Sequence, residues 1–280
     1  MIRKAEELFF KILMIAASIL IVGSFFLIIS TVVVKGLPSL NLDMITKIPD
    51  GGFYIGKSGG ILNAIIGSLY IAGGASLLAL LISLPIVLYL NIYLKRKSPL
   101  GNITRLSHDV LFGIPSIVYG AFGFTIMVYF GLKVSLLGGI VAVTLLVVPI
   151  MIRAMDEVMR TVPRELLDAS YSLGATRLEA SRVLLKQVVP GVLTAILLSF
   201  GRAIGDAASV LFTAGFSDNI PRSLESPAAT LPLAIFFQLS SPIEEVQSRA
   251  YASALILTFI VLLISISARI LTKRFSKHRI

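Results

Sequence analysis

An arginine and an aspartate lie four residues apart inside a long apolar stretch of this sequence. Arg202 and Asp206 fall within the run from Val188 to Thr213. On a helix, residues with this spacing share one face, one turn apart. A charge at the middle of a bilayer costs about 2.5–3.5 kcal/mol even on lenient scales, and such a residue often marks an ion or substrate path. The pair is therefore either a structural salt bridge or a site where an incoming anion competes with Asp206 for Arg202.

Two glycines lie next to the charged pair. Gly201 and Gly205 form a small-x-x-x-small pattern, which lets a second helix approach a membrane helix closely. We expect both glycines to line a substrate path together with Arg202 and Asp206.

A second segment matches a nucleotide-binding pattern in an unsuitable context. Residues 51–58, GGFYIGKS, fit the P-loop pattern G-x-x-x-x-G-K-[ST]. A true P-loop follows a buried strand and opens a helix of a soluble domain. Here a long apolar run precedes the pattern and another follows it. We therefore expect no ATP site in this chain. Any function driven by ATP would require a separate ATPase.

The elements that must position these residues are membrane helices. The chain has 280 residues, of which 56% are hydrophobic and 14% charged, whereas an average soluble domain has about 25% charged residues. Apolar runs longer than about 18 residues predict transmembrane helices. We predict an all-α polytopic membrane protein in which residues 1–280 form a single transmembrane domain of six helices. The predicted spans are approximately 12–34, 61–93, 108–130, 134–152, 188–213 and 250–271.

The distribution of charge predicts the orientation of these spans. If the N-terminus is cytoplasmic, 18 of the 25 Lys and Arg residues fall on the cytoplasmic side and six on the other. Such an excess is typical of cytoplasmic loops. Both termini and residues 153–187 are then cytoplasmic, and residues 215–247 form an extracytoplasmic loop. The formal charge of +10 is thereby explained without a nucleic-acid partner.

The cytoplasmic segment carries clear signals for a helical hairpin. Pro163 suits the first turn of a helix, and Gly174 can end that helix in a left-handed conformation. Thr176 and Glu179, three residues apart, form a capping box that starts a second helix. A well-capped hairpin between two spans indicates a docking element for another protein.

Several other classes of protein are disfavoured. The chain has no cysteine and only two histidines, so we expect no metal or other cofactor. The sequence contains no H-E-x-x-H motif and no His-rich cluster that would indicate an enzyme, and we see no internal repeat of the kind common in secondary transporters.

The hairpin resembles a known family. Asp168, Ala169 and Ser170, followed by Gly174, resemble the E-A-A-x-x-x-G motif of ABC-importer permeases, with Asp for Glu and Ser for the second Ala. Three longer segments are similar to the phosphate-specific permeases of the PstA type. They are GGILNAIIGSLYIAG from Gly59, GIPSIVYGAFGF from Gly113 and GRAIGDAASVLFTAG from Gly201. Asp206 stands where that family usually has Glu.

The resemblance implies a function and a set of partners. It implies a type I ABC-importer permease fold in a prokaryotic plasma membrane, surrounded by lipid. It also implies phosphate as substrate, a second permease in a heterodimer, an ATPase subunit dimer and an extracytoplasmic phosphate-binding protein. A permease for sulfate or molybdate is the alternative. The residues that would contact the ATPase are Glu165, Leu166, Leu167, Asp168, Ala169, Ser170, Gly174, Ala175 and Thr176.

Asp206 suggests a way to select phosphate. Protonated phosphate can donate a hydrogen bond to a carboxylate, whereas sulfate at neutral pH cannot. We therefore hypothesise that Asp206 helps to distinguish the two anions.

Overall fold

The computed structural model describes residues 2–50, 58–95 and 98–276, with side chains described for 6–50, 59–95 and 98–270. Within these residues the chain is nearly all helical, and the strands form one small hairpin. The predicted all-α membrane architecture is confirmed.

Five helices of the described part are long and apolar enough to cross a membrane. They overlap five of the six predicted spans. They are α1 (Ile2–Gly36), α3 (Leu62–Leu88), α6 (Leu136–Arg160), α8 (Arg177–Ile204) and α10 (Glu244–Ser276).

Shorter elements join the long helices. They are a 3-10 turn (Leu37–Ser39), α2 (Leu42–Thr46), β1 (Pro49–Asp50), β2 (Ser58–Gly59), a π-helical turn (Tyr89–Tyr93), α4 (Pro99–Phe112), α5 (Ser116–Tyr129), α7 (Arg164–Ser172) and α9 (Leu231–Leu239). The two strands pair antiparallel, with Pro49 opposite Gly59. Residues 51–57, which hold most of the P-loop-like pattern, lie outside the described residues.

The predicted third span, 108–130, is not one helix. It falls on the last part of α4 and on α5, whose axes differ by 99°. The break lies at residues 113–115, where Gly113 ends α4 and Pro115 caps α5. A proline has no N–H for a helical hydrogen bond and disfavours helix in the residue before it.

The predicted fifth span, 188–213, also differs from the structure. Helix α8 begins at Arg177 and ends at Ile204, so it includes the second helix of the predicted hairpin. Residues 205–214 continue as turns. The capping box fixes only where a helix starts, and nothing after Glu179 breaks it before the membrane.

The core lies where α3, α6, α8 and α10 meet. Small side chains permit close packing of α3 on α6, since Ala72, Ala75 and Ala79 are fully buried. Gly191 on α8 faces Val158 of α6 so closely that a Cβ there would lie 2.1 Å from a valine methyl. Helix α8 is thus held tightly against α6 midway along its length.

Candidate functional site

A single helix connects the predicted docking hairpin to the predicted anion site. Arg177 starts α8 and Arg202 lies in its last turn. The 25 intervening steps correspond to about 38 Å at 1.5 Å per residue. Arg177 and Arg202 therefore belong to one helix, which contains Pro190 and is unbroken between them.

The structure brings Arg202 and Asp206 together as an ion pair. Nη2 of Arg202 lies 3.6 Å from Oδ1 of Asp206, which is longer than a hydrogen bond. The Asp206 side chain is only 3% exposed, whereas the Arg202 side chain is 49% exposed in the isolated chain. The guanidinium is therefore attracted to Asp206 but keeps donors free to meet another anion.

Asp206 has a second role, which its spacing from Arg202 does not indicate. It lies beyond the end of α8, so it is not on the same helical turn as Arg202. Its Oδ2 accepts hydrogen bonds from the backbone N–H of Ser209 at 2.8 Å and from the Ser209 hydroxyl. Asp206 thus caps the turn that follows α8. The Asp-x-x-Ser spacing is a cap-like signal that could have indicated this role.

The turn that follows α8 is packed between two helices. A Cβ on Gly120 of α5 would lie 2.8 Å from the carbonyl oxygens of Ala208 and Ser209. The carbonyl of Thr213 accepts a hydrogen bond from the N–H of Ser135, the residue before α6. The turn bearing Asp206 is therefore fixed in place from both sides.

Gly201 and Gly205 face outward from this chain. Among the described residues, nothing lies within 4 Å of a Cβ built on Gly201, and a Cβ on Gly205 meets only the Gly201 carbonyl at 3.5 Å. The small-residue face of α8 is therefore open. It lies beside the exposed Arg202 guanidinium.

The hairpin that precedes the membrane part of α8 has the predicted local structure. Gly174 has φ +84°, a conformation that side chains other than glycine rarely adopt. The Thr176 backbone N–H donates to a Glu179 carboxylate oxygen at 2.8 Å, and the Glu179 N–H donates back to the Thr176 hydroxyl at 3.4 Å. The predicted capping box is confirmed.

The predicted ATPase-contacting residues are all on this hairpin. Helix α7 carries Glu165, Leu166, Leu167, Asp168, Ala169 and Ser170, and the turn after it carries Gly174, Ala175 and Thr176. Leu167 packs against the core, whereas Leu173 at the tip is 90% exposed. Leu178, on the first turn of α8, is 59% exposed. The apolar tip is the part of the hairpin that a partner could cover.

The structure also assembles an ion cluster that sequence reasoning missed. Asp156 of α6 accepts two hydrogen bonds from Arg105 of α4, from Nε to Oδ2 at 2.8 Å and from Nη2 to Oδ1 at 3.2 Å. The amide of Asn91, in the π-helical turn, donates to Oδ1 at 2.7 Å. The donors are 51 and 65 residues distant in sequence from Asp156, so no local pattern could indicate this cluster.

A further ion pair joins α4 and α6. Arg153 of α6 pairs with Asp109 of α4 and lies 3.5 Å from Glu157. All three side chains are about half exposed or more. Within the described residues, no cluster of His, Asp and Glu has the arrangement of a metal site.

The chain is similar to a family of membrane transport proteins. Residues 75–279 match the family described as "Binding-protein-dependent transport system inner membrane component". This match covers the helical hairpin, Arg202 and Asp206.

Individual relatives match over most of their length. The chain is 37% identical over 272 residues to the phosphate transport system permease protein PstA of Yersinia pestis, covering 95% of this chain and 90% of the relative. It is 34% identical to the protein of the same name from Pasteurella multocida, with 95% of each covered.

Solved structures show the same fold at lower sequence similarity. An inward-facing structure of the MetNI methionine ABC transporter matches with a TM-score of 0.60 and 19% identity, covering 76% of this chain and 95% of that chain. The fold is that of an ABC-importer permease.

Proposed function

The chain belongs to the family of binding-protein-dependent transport system inner membrane components, and we propose that it is one of two permease subunits of an ATP-driven phosphate importer. The observation that carries this proposal is the 37% identity to a phosphate transport permease across 95% of the chain.

We propose that the hairpin of α7 and the start of α8 docks on a separate ATPase. The exposed leucine at its tip, Leu173, supports this, because an apolar side chain this exposed gains free energy when a partner covers it. The tight turn at Gly174 keeps the tip in a fixed position relative to α8. Closure of an ATPase dimer would move the hairpin, and α8 would carry the movement to Arg202.

Arg202 is proposed to contact the translocated anion. Its guanidinium is half exposed and only loosely paired, and arginine binds phosphate oxygens through charge-assisted hydrogen bonds. Asp206 would keep the guanidinium in place when no anion is present. The open face of Gly201 and Gly205 would let the second permease approach, so that both subunits enclose the path.

The proposed placement in the membrane follows from charge. Lys and Arg residues concentrate in the loops that would face the cytoplasm, among them the hairpin segment 153–187. Residues 215–247 would then face outward, where an extracytoplasmic phosphate-binding protein could deliver its cargo. Both termini would be cytoplasmic.

Transport by the reconstituted complex tests the substrate. The chain is assembled in proteoliposomes with its second permease, its ATPase and its binding protein, and uptake of labelled phosphate is measured with ATP inside. We expect ATP-dependent uptake that excess unlabelled phosphate abolishes and that excess sulfate or molybdate leaves unchanged. Inhibition by sulfate or molybdate, with little by phosphate, would assign another oxyanion.

Co-purification tests the docking hairpin independently of the substrate. Leu173→Asp should release the ATPase, because it places a charge in the proposed apolar contact. Leu224→Asp is the matched control, since Leu224 is also exposed, at 54%, but lies in the loop predicted to be extracytoplasmic. Equal ATPase recovery from both variants would contradict docking at the hairpin tip.

A further inference from the structure

Helix α4 carries an apolar stripe that the rest of the chain leaves uncovered. Its members are Leu100, Ile103, Leu106 and Val110, with exposures of 53%, 62%, 63% and 62%. At 100° per residue they fall on one side of the helix. These four aliphatic side chains form a contiguous apolar patch, and such a patch marks a contact with protein or membrane.

The opposite side of α4 is held by the protein. Gly101 is buried, Arg105 is bonded to Asp156, and both ring nitrogens of His108 are buried. The rotation of α4 about its own axis is therefore fixed, and the apolar stripe points away from the helices that α4 contacts.

The direction of α4 is fixed by helix α5. Helix α5 runs antiparallel along α6: a Cβ on Gly123 would lie 3.3 Å from the Ala142 methyl, and one on Gly138 would lie 2.5 Å from the Met127 methyl. Since α6 is a membrane-spanning candidate, α5 lies along the membrane normal. Helix α4 makes an angle of 99° with α5, so it runs along the plane of the membrane.

Tyr119 stabilises this bend. Its hydroxyl donates a 2.8 Å hydrogen bond to the carbonyl of Leu111, one of the last carbonyls of α4. Those carbonyls have no partner within their own helix. The Tyr119 side chain is only 8% exposed, so the bend is part of the packed structure.

The depth of α4 follows from its ion pairs. Arg105 and Asp109 bond to Asp156 and Arg153, which come directly after the apolar part of α6. Charged groups at the end of a membrane helix lie near the headgroups.

We propose that α4 is an interfacial helix that lies in the cytoplasmic membrane surface and buries the stripe of Leu100, Ile103, Leu106 and Val110 among phospholipid acyl chains. An amphipathic helix whose apolar face lies opposite its polar face is the arrangement that binds such a surface. The proposal depends on α5 and α6 crossing the membrane and is independent of which anion is transported.

Spin labels measure this orientation directly. The chain has no cysteine, so single cysteines at positions 100, 103, 106 and 110 can each carry a nitroxide, with the partner subunits also made cysteine-free. The complex is reconstituted in vesicles of phosphatidylglycerol and phosphatidylethanolamine. The relative collision rates with oxygen and with a water-soluble nickel chelate report the depth of each label.

We expect all four labels to lie at one depth, about 5–10 Å below the headgroups. A label at Asn102, an exposed polar position beside the stripe, should be accessible to the nickel chelate. A transmembrane α4 would instead give depths that differ by about 15 Å between positions 100 and 110. Such a gradient would overturn the proposal.

Two other outcomes would also overturn it. High nickel accessibility of the stripe would place it in water, and low accessibility to both reagents would show that a protein subunit covers it. Labels at the exposed positions Val118, Phe122 and Val128 of α5 are the matched control. They should show the depth gradient that α4 lacks, and ATP-dependent transport by each labelled complex confirms that it is folded.

Discussion

Two arginine–aspartate pairs in this protein differ in geometry and therefore in what they can do. Arg105 meets Asp156 through two hydrogen bonds of 2.8 and 3.2 Å, and Asn91 adds a third. Arg202 meets Asp206 only at 3.6 Å. The Arg105 side chain is 21% exposed and the Arg202 side chain 49%.

Under the proposed function, this difference separates a structural pair from a pair that a transported anion would open. Both oxygens of Asp156 are bonded, and a two-bond arginine–carboxylate contact is a strong and well-oriented interaction. At the other pair, Asp206 is secured by Ser209 while Arg202 remains accessible. We therefore expect substitutions at the first pair to reduce stability and substitutions at the second to reduce transport.

The largest effect is expected for Asp156→Ala. It leaves the Arg105 guanidinium and the Asn91 amide without their acceptor, and breaking such a pair from one side costs about 3 kcal/mol or more. Thermal unfolding of the purified complex in detergent measures the change. Arg153→Ala, at the more exposed pairs with Asp109 and Glu157, is the control and should cost about 1 kcal/mol or less. Equal losses of stability for the two variants would contradict a special structural role for the Arg105–Asp156 pair.

Arg202→Ala should lower phosphate uptake about 100-fold or more while the complex still assembles. Loss of a guanidinium that meets the anion in transit corresponds to about 3 kcal/mol, within the range for hydrogen bonds to charged groups. Uptake of labelled phosphate and subunit stoichiometry are measured on the same preparation. Arg202→Lys, which keeps the charge, should retain part of the uptake. Normal uptake by Arg202→Ala would make this pair structural as well.

Asp206→Asn should change selectivity by about tenfold. Oδ2 is occupied by Ser209, so Oδ1, on the side of Arg202, is the oxygen available to accept a hydrogen bond from protonated phosphate. The neutral amide of Asn is a weaker hydrogen-bond acceptor than the carboxylate of Asp. A tenfold change in selectivity corresponds to about 1.4 kcal/mol. The ratio of phosphate to sulfate uptake is the measurement, with Ser209→Ala as the control for loss of the cap alone. An unchanged ratio would limit Asp206 to fixing the turn.

The smallest effect is expected at the other end of α8, for Thr176→Ala. The variant removes one side of the capping box, which costs about 1 kcal/mol at a helix N-terminus. The coupling between ATP hydrolysis and uptake should fall slightly, measured as phosphate transported per ATP. Thr176→Ser keeps the hydroxyl and should match the parent protein. A loss of phosphate uptake as large as that expected for Arg202→Ala would show that the cap does more than start the helix.

The hairpin and the charged pair were predictable for different reasons. The helix boundaries near Gly174 and Thr176 depend on interactions between residues three or four positions apart, so the sequence pattern predicts them. The proximity of Arg202 and Asp206 was also predictable from spacing. The Asp-x-x-Ser spacing signals that Asp206 could cap a turn, but whether it does so depends on where α8 ends.

The bend between α4 and α5 was only partly predictable. Gly113 and Pro115 indicate a break in the helix. The apolar composition of the run does not predict the angle between α4 and α5. The angle depends on the Tyr119 hydrogen bond and on the packing of Gly120 against the turn at Ser209. Similarly, the Asp156 cluster joins three elements that are distant in sequence.

By itself, the sequence determined that this is an all-helical membrane protein with a capped hairpin and an arginine on a membrane-spanning candidate helix, because apolar runs, caps and charges act locally. The tertiary structure alone decided which arginine is held by two hydrogen bonds to its aspartate and which is only loosely paired. That outcome depends on which elements meet. The π-helical turn and α4 bring Asn91 and Arg105 to Asp156 of α6, whereas the turn after α8 brings Ser209 to Asp206 and leaves Arg202 at the open face.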